Sequence, residues 1–172
     1  YIILMIKQLI LDSETKQERK KFIDISHNSL NKIDNKFLTN HNLQLIMINR
    51  LFLEEEFIEK QFIVQEIKNK LSNYKSQDKK HQLYDKETII TYENIIEKIV
   101  TSKLKCFYCK IACYVIYSES RYPYQWTLDR INNYDQHTNE NTRVCCLKCN
   151  LQRRRINSTK FTFTKQLFIK KV

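Results

Sequence analysis

The chain has 172 residues, of which 42% are hydrophobic, 28% are charged and none is glycine, and its net charge is +11. This length suits one domain, or one domain with an extension. The apolar run at residues 1–6 is far shorter than the roughly 20 residues that a helix needs to cross a bilayer, so we expect no membrane span. Without glycine, tight turns are expected to use asparagine for left-handed backbone conformations.

The positive charge lies almost entirely in the C-terminal part of the chain. Residues 103–172 carry 14 Lys/Arg and 4 Asp/Glu side chains, whereas residues 1–102 carry 16 and 15. Such a basic surface attracts phosphate backbones and binds them in a salt-dependent way. We therefore predict that this part contacts nucleic acid; a solvated basic face without a partner is the alternative.

The first half of the chain is predicted to be a mainly helical region, residues 1–85, to which no chemistry can be assigned. Its apolar run at residues 1–11 fits a strand or a short helix equally well. Apolar residues recur at helical spacing over Leu51–Leu71, where Glu54–Glu56 would lie in the first turns and suit the helix dipole. Residues 72–86 are polar and charged and are predicted to be a linker.

The second part, residues 86–172, is predicted to form one helix followed by a small module of short β segments. Thr91 is a typical N-cap for a helix that brings the chain to Cys106. The elements expected after Cys106 are strands at 114–117 and 124–131, a loop at 132–141, a helix at 146–157 and a short strand and helix within 161–172.

Four of the six cysteines form two CxxC pairs, Cys106–Cys109 and Cys146–Cys149, with 36 residues between them. One tight turn can present both thiolates of such a pair to a single ion, and two pairs complete the tetrahedron that Zn²⁺ prefers. We predict a structural zinc site, since four sulfurs leave no position for a reacting water. Cys113 and Cys145 are expected to be buried or free thiols, although Cys145 is an alternative to Cys146 as a ligand.

A more specific pattern lies in Trp126–Asn150. Asp129 ends a predicted strand, Asn141 precedes the second CxxC pair by five positions, and Asn150 directly follows that pair. This pattern resembles the HNH endonucleases, in particular the phage recombination endonuclease VII branch, in which Asn or His follows the second pair. The resemblance covers roughly residues 86–157 and implies an α+β fold, a treble-clef zinc finger of the ββα-metal type.

The resemblance also implies roles for single residues. Asp129 and Asn150 match the family positions that hold a catalytic Mg²⁺ or Mn²⁺, which prefers oxygen ligands. Asn141 would brace the loop that orients the catalytic residue. Where the family has His after the Asp, this chain has Arg130, which stays protonated and is a poor general base, although it can contact the scissile phosphate. His137 is a candidate replacement for that base, with an exposed loop histidine as the alternative.

The implied activity is divalent-metal-dependent hydrolysis of DNA phosphodiester bonds, with RNA kept open because the phosphate contacts are shared. The alternative, which Arg130 favours, is an inactive module that binds nucleic acid or has a structural role in a larger assembly. The expected phosphate contacts are the basic side chains Arg130, Arg143, Lys148, Arg153, Arg154 and Arg155.

The run LDRIN at residues 128–132 is similar to a variant of the family motif in phage and large-virus proteins. This similarity implies a phage or viral origin and an intracellular location, in the cytoplasm or the nucleus. Because the chain begins at Tyr1, we also expect that further residues precede it.

Overall fold

The computed structural model describes residues 35–167, which lie in one compact unit. These residues form an α+β structure, as predicted, and the apolar run at residues 1–11 lies outside them. The six helices are α1 (Asn35–Thr39), α2 (His41–Phe52), α3 (Lys60–Lys80), α4 (Tyr92–Thr101), α5 (Leu147–Arg153) and α6 (Ser158–Gln166). The two strands are β1 (Trp126–Arg130) and β2 (Thr142–Cys146).

The single helix predicted over Leu51–Leu71 is wrong, because α2 ends at Phe52 and α3 begins only at Lys60. Glu54 takes a left-handed conformation with φ 59°, which turns the chain out of the helix. The following carboxylates pair with basic residues of the two flanking helices: Glu55 Oε2 lies 2.9 Å from Arg50 Nε, and Glu56 Oε1 lies 2.5 Å from Lys60 Nζ. The acidic run therefore stabilises a connection between helices.

The predicted linker at residues 72–86 is also wrong over most of its length, since α3 continues to Lys80. Residues 72–80 contain neither Gly nor Pro, so no strong helix breaker interrupts α3 before Lys80. The buried face of α3 recurs every three or four residues at Ile63, Ile67, Leu71, Tyr74 and Asp78. Through this face α3 contacts β1, so contacts cross the boundary that was predicted near residue 85.

The helix expected after Thr91 is confirmed as α4. The Thr91 side chain accepts a hydrogen bond from Asn94 N, and the Asn94 side chain accepts one from Thr91 N, which completes a capping box. Ile95, Ile96 and Ile99 are buried on one face of the helix. After α4 the chain passes through two left-handed residues and enters the first cysteine pair.

Within residues 35–167, left-handed turns are not made by asparagine, contrary to the prediction. The residues with positive φ in the described part of the chain are Glu54, Gln82, Lys103, Leu104, Lys110, Arg121 and Arg154. Each has a Cβ atom that strains this conformation by about 1 kcal/mol. Apart from the buried Leu104, charged and polar side chains thus occupy these positions, where glycine is usually found.

The two strands form an antiparallel hairpin in which Trp126 pairs with Cys146 and Arg130 with Thr142. The strand predicted at 124–131 is confirmed over Trp126–Arg130, but residues 114–117 make only one bridge, from Tyr114 to Gln125. The reason is the buried side chain of Gln44 in α2. Its Oε1 atom accepts hydrogen bonds from the backbone N–H groups of residues 115 and 116, at 2.7 and 3.0 Å, so these groups cannot join a ladder.

The helix predicted at 146–157 begins near its expected start but ends at Arg153, because Arg154 turns left-handed with φ 50°. Arg155 therefore lies outside the helix. A new helix, α6, starts at Ser158, where the Asn157 side chain accepts hydrogen bonds from two backbone N–H groups. In the part of the tail that is described, up to residue 167, there is a helix and no strand.

No helix between residues 35 and 167 is both long and apolar enough to cross a membrane.

Candidate metal centre and basic cavity

The two CxxC pairs meet at one point beside the hairpin. The Sγ atoms of Cys106, Cys109, Cys146 and Cys149 all lie within 4.8 Å of one another, and those of Cys109 and Cys146 are 3.9 Å apart. Ligand sulfurs on a tetrahedral Zn²⁺ with bonds of about 2.3 Å lie roughly 3.8 Å apart, so this cluster fits a structural ion such as zinc.

Local structure explains how the cluster is held. The first pair lies in a turn that is hydrogen-bonded to β2, since Phe107 N donates to Val144 O at 2.9 Å. Cys146 ends β2 and caps α5, since its Sγ accepts from Cys149 N at 3.4 Å. Hydrogen bonds from the thiols of Cys146 and then Cys149 lower the pKa of Cys106 well below its usual value, whereas their bonds to Cys106 raise the pKa values of Cys146 and Cys149. Without a metal ion the cluster therefore holds its negative charge mainly on Cys106.

The other two cysteines, Cys113 and Cys145, are buried outside this cluster, as expected. Burial raises the pKa of each thiol well above its ordinary value, so both stay neutral and unreactive near pH 7. The ligand that follows β2 is therefore Cys146, and the alternative of Cys145 is excluded by the geometry.

A cavity of about 800 Å³, here called the basic cavity, opens on the other side of α5, between α3, β1 and the loop after β1. It brings together seven of the residues that were selected from the sequence: Asp129, Arg130, His137, Asn150, Arg153, Arg154 and Arg155. Three others lie elsewhere. Asn141 is buried and does not line the basic cavity. Arg143 lines a separate groove, and the exposed Lys148 lines neither the cavity nor that groove.

Asp129 is buried at the end of β1, and both of its carboxylate oxygens are already engaged. Oδ1 accepts a hydrogen bond from Arg153 Nη2 at 2.9 Å, and Oδ2 accepts one from the Tyr108 hydroxyl at 2.5 Å. Arg153 Nε lies 2.5 Å from Oδ2, an ion-pair contact at an angle too bent for a hydrogen bond. Arg153 is itself buried and also donates to Asn133 Oδ1 at 2.6 Å and to Ile156 O at 2.8 Å.

This arrangement does not fit a divalent ion bound between Asp129 and Asn150. The Arg153 guanidinium would repel a second cation at the same carboxylate, and its other contacts fix it in place. Asn150 Nδ2 donates to Thr127 Oγ1 at 3.0 Å and to Leu128 O at 3.2 Å, so only its Oδ1 atom has no partner among residues 35–167. The catalytic Mg²⁺ or Mn²⁺ site stays a prediction from the resemblance.

His137 lies in the wall of the basic cavity and pairs with a residue that the sequence did not reveal. Its Nδ1 atom lies 2.8 and 2.9 Å from the two carboxylate oxygens of Asp78, and its backbone N–H donates to Oδ2 at 2.9 Å. Its ring stacks on Tyr74, with centroids 4.7 Å apart. Burial lowers the pKa of His137 below 6.5, and this outweighs the opposing effect of Asp78.

The protonation of this pair follows from its chemistry. A carboxylate only accepts, so His137 Nδ1 carries the hydrogen and Nε2 carries a lone pair. Nε2 has no hydrogen-bond partner in the described part of the chain, and it is not among the fully buried polar atoms, so it is accessible from the cavity. His137 is thus a neutral, oriented base rather than an exposed loop histidine.

The remaining polar groups fix the loop that carries His137. Asn141 Oδ1 accepts from Asn132 N at 2.8 Å, and its Nδ2 donates to Gln136 O at 2.8 Å. Arg130 Nη1 donates to Asp135 O at 3.0 Å and lies 3.5 Å from Asp78. These contacts brace the loop from both of its ends.

Sequence reasoning missed Asp78, Tyr74 and Tyr108, all of which touch the central residues. A signal for the first two was present. With α3 extended to Lys80, Tyr74 and Asp78 continue the apolar face of the helix, and a lone Asp at such a position is typical of a buried, paired carboxylate. Tyr108 lies between two of the clustered cysteines, Cys106 and Cys109, and gave no signal.

Comparison of the chain with protein-family models, with curated proteins and with solved structures gives no match. The resemblance to HNH endonucleases therefore depends on the motif residues alone.

Proposed function

We propose that this protein is a nucleic-acid phosphodiester hydrolase, an HNH-like endonuclease on a treble-clef zinc scaffold, with its reaction site in the basic cavity. The observation that carries the proposal is the Asp78–His137 pair, which supplies the general base that Arg130 cannot supply. His137 of this pair lines the same cavity as Asp129 and Asn150, the two positions of the resemblance that lie in β1 and directly after the second cysteine pair.

In this proposal His137 Nε2 takes a proton from the attacking water. Asp78 accepts from Nδ1, keeps the required tautomer in place and stabilises the imidazolium that forms, as the third member does in hydrolase triads. A lowered pKa keeps His137 unprotonated near neutral pH, which a base requires. The base acts from the loop after β1, not from the residue that follows Asp129.

The substrate in this proposal is held by its phosphates. Arg154 and Arg155 are exposed at the cavity and form no ion pair within residues 35–167, so both are available to a polyanion. Arg130 is half-buried beside Asp78 and could contact a phosphate at the inner end of the cavity. Buried Arg153 is not available, because its contacts hold Asp129 and the loop. DNA is the expected substrate, with RNA kept open.

A second function, binding of nucleic acid without cleavage, is favoured by one specific observation. Both oxygens of Asp129 are engaged by Arg153 and Tyr108, so the carboxylate that would hold a catalytic ion instead stabilises the fold. Under this reading the phosphate contacts persist and divalent ions leave the substrate intact.

The test is cleavage of supercoiled plasmid and of a four-way junction by zinc-loaded protein, with Mg²⁺, with Mn²⁺ and without added divalent ions. His137→Ala is compared with the matched control His41→Gln, which changes a histidine whose Nε2 lies 3.0 Å from Leu104 O outside the cavity. We expect His137→Ala to lower the cleavage rate by about 10²–10⁴-fold. His41→Gln should cleave like the wild type.

Each outcome separates the two functions. Cleavage that is unchanged in His137→Ala would show that this histidine is not the base. Salt-sensitive binding without cleavage under any metal condition would favour the second function. Cleavage that requires Mg²⁺ or Mn²⁺ would support the ion predicted from the resemblance and would require Arg153 to leave Asp129.

A further inference from the structure

A second basic depression lies between α4, the first cysteine pair and β2, and it shares no lining residue with the basic cavity. It is here called the lysine groove and has a volume of about 490 Å³. Its basic lining residues are Lys98, Lys105, Lys110 and Arg143. Glu97 is the one carboxylate in its lining, so the groove has an excess of positive charge.

The cations of the lysine groove differ in their availability. Lys98 is half-buried and its Nζ atom donates to Thr142 O at 3.1 Å, so it anchors α4 to β2; Glu97 and Glu140 lie near it. Lys105 and Lys110 are exposed, and neither forms an ion pair in the region from residue 35 to 167. The free positive charge therefore lies at the rim formed by the first cysteine pair.

The ring of Phe107 organises this rim. The guanidinium carbon of Arg143 lies 4.1 Å from the ring centroid, and Lys110 Nζ lies 4.9 Å from it. Stacking on an aromatic ring orients a cation without neutralising it, because the ring carries no net charge. Two cations held in this way, with Lys105 beside them, provide a preorganised site for phosphate oxygens, which Arg can bind through two nitrogens.

The lysine groove also adjoins the basic cavity through a chain of polar contacts. Arg143 lies directly opposite Asp129 in the hairpin. Its Nη1 atom donates to Ser158 Oγ at 3.5 Å; Ser158 Oγ lies 3.4 Å from the Tyr108 hydroxyl, which donates to Asp129. Side chains on one face of the hairpin therefore connect the two basic depressions.

We infer that the lysine groove binds the phosphate backbone of the nucleic acid whose reaction site is the basic cavity, at a position away from the bond that is cut. The identity of this ligand rests on the proposed function. The chemistry at the groove is that of a polyanion site, with unpaired cations, an aromatic support and a single carboxylate. Its contribution is to affinity and to the salt dependence of binding, not to the cleavage step.

The experiment measures the affinity of the whole chain for a fluorescent DNA duplex and for an RNA duplex, without added divalent ions, between about 0.05 and 0.2 M salt. The variant is Lys105→Gln/Lys110→Gln. Its matched control, Lys79→Gln/Lys80→Gln, removes two exposed lysines at the end of α3 that line neither depression. Zinc content and far-UV circular dichroism of both variants confirm the fold.

We expect the slope of the logarithm of the binding constant against the logarithm of the salt concentration to become less steep by about two in Lys105→Gln/Lys110→Gln. Each phosphate contact that is lost removes about 0.9 from the magnitude of this negative slope. The control should keep the wild-type slope. A loss on DNA alone would identify DNA as the ligand, and an equal loss on both duplexes would identify the shared backbone. An unchanged slope, or a wild-type chain that binds neither duplex, would overturn the inference.

This test does not depend on catalysis. One outcome is that His137→Ala cleaves like the wild type while Lys105→Gln/Lys110→Gln shows a weaker salt dependence of binding. In that case the assignment of His137 as the base is wrong, and the inference about the lysine groove is supported. If His137→Ala fails to cleave and the salt slope of the lysine variant is unchanged, the proposed function stands and the groove is wrong.

Discussion

The cysteine cluster and the basic cavity both bury polar groups beside the same hairpin, but they stabilise them in different ways. The four clustered sulfurs have mainly one another as partners, and a positive ion would complete the group. In the cavity, the carboxylates of Asp129 and Asp78 are paired with Arg153 and Arg130 of the chain itself, and neutral His137 donates a hydrogen bond to Asp78. The first region thus has the arrangement of a metal site, whereas the second is held by internal pairs.

The largest effect is expected from breaking the cysteine cluster. Cys149→Ser should bind no zinc and should lose its folded structure as one unit. The reason is that structural zinc contributes about 10 kcal/mol or more to the folding free energy of small zinc modules. Cys113→Ser is the matched control, since Cys113 is equally buried but outside the cluster. Metal content per chain and thermal unfolding are measured. One zinc ion retained by Cys149→Ser would contradict the ligand assignment.

A smaller but clear loss is expected from breaking the internal pair in the cavity. Asp129→Ala leaves the buried Arg153 guanidinium and the Tyr108 hydroxyl without their acceptor, which should cost about 3–5 kcal/mol in the free energy of unfolding. Arg153→Met added to Asp129→Ala should cost less than the sum of the two single changes. Urea unfolding gives these values. Strict additivity would show that the pair is not coupled.

This expected loss bears on the assay of function. Because Asp129 supports the fold, a loss of cleavage in Asp129→Ala would not distinguish a metal ligand from a structural anion. His137→Ala and Asn150→Ala are therefore better tests of the cavity, since neither removes a charge that a buried arginine needs.

The smallest effect is expected from pH. Burial holds the pKa of His137 below the 6.5 of an exposed histidine, so the unfolded chain binds more protons between these two values. The stability that depends on neutral His137 is present above about pH 6.5 and is lost as the pH falls through the lowered pKa. His137→Gln should remove this part of the acid sensitivity. Urea unfolding midpoints of the wild type and of His137→Gln, measured above and below pH 6.5, would test this expectation. An equal dependence of the midpoint on pH in the two proteins would contradict it.

Features that depend on near neighbours could be predicted from the sequence. The CxxC spacing determines which sulfurs meet, and the Thr91 capping box lies within four residues of chain. The core of β1 follows from its β-branched and aromatic residues. Within one CxxC pair, one cap or one strand the interacting groups are near in sequence, so their spacing carries the information, and the preference of Zn²⁺ for four ligands predicts that the two pairs meet.

Features that depend on distant residues could not be predicted in the same way. Asp78 and His137 are 59 positions apart, and their contact depends on the packing of α3 against β1. The end of α3 was misplaced because polar helix formers were taken for a linker. The missing strand at 114–117 has a similar cause, since Gln44, 71 and 72 positions away, binds the backbone N–H groups there. Tertiary contacts decided the Asp78–His137 pair and the missing strand, whereas the length of α3 follows from local helix propensity.

The absence of glycine has a consequence for the electrostatic surface. Of the seven residues with positive φ in the described region, four are basic: Lys103, Lys110, Arg121 and Arg154. A glycine at these sharp bends would present bare backbone, whereas here each bend projects a long cationic side chain. Lys110 thereby reaches the lysine groove and Arg154 the basic cavity. The bends at Lys110 and Arg154 thus also place positive charge at the two depressions. A glycine at either of these two positions would relieve backbone strain while weakening the attraction for a polyanion.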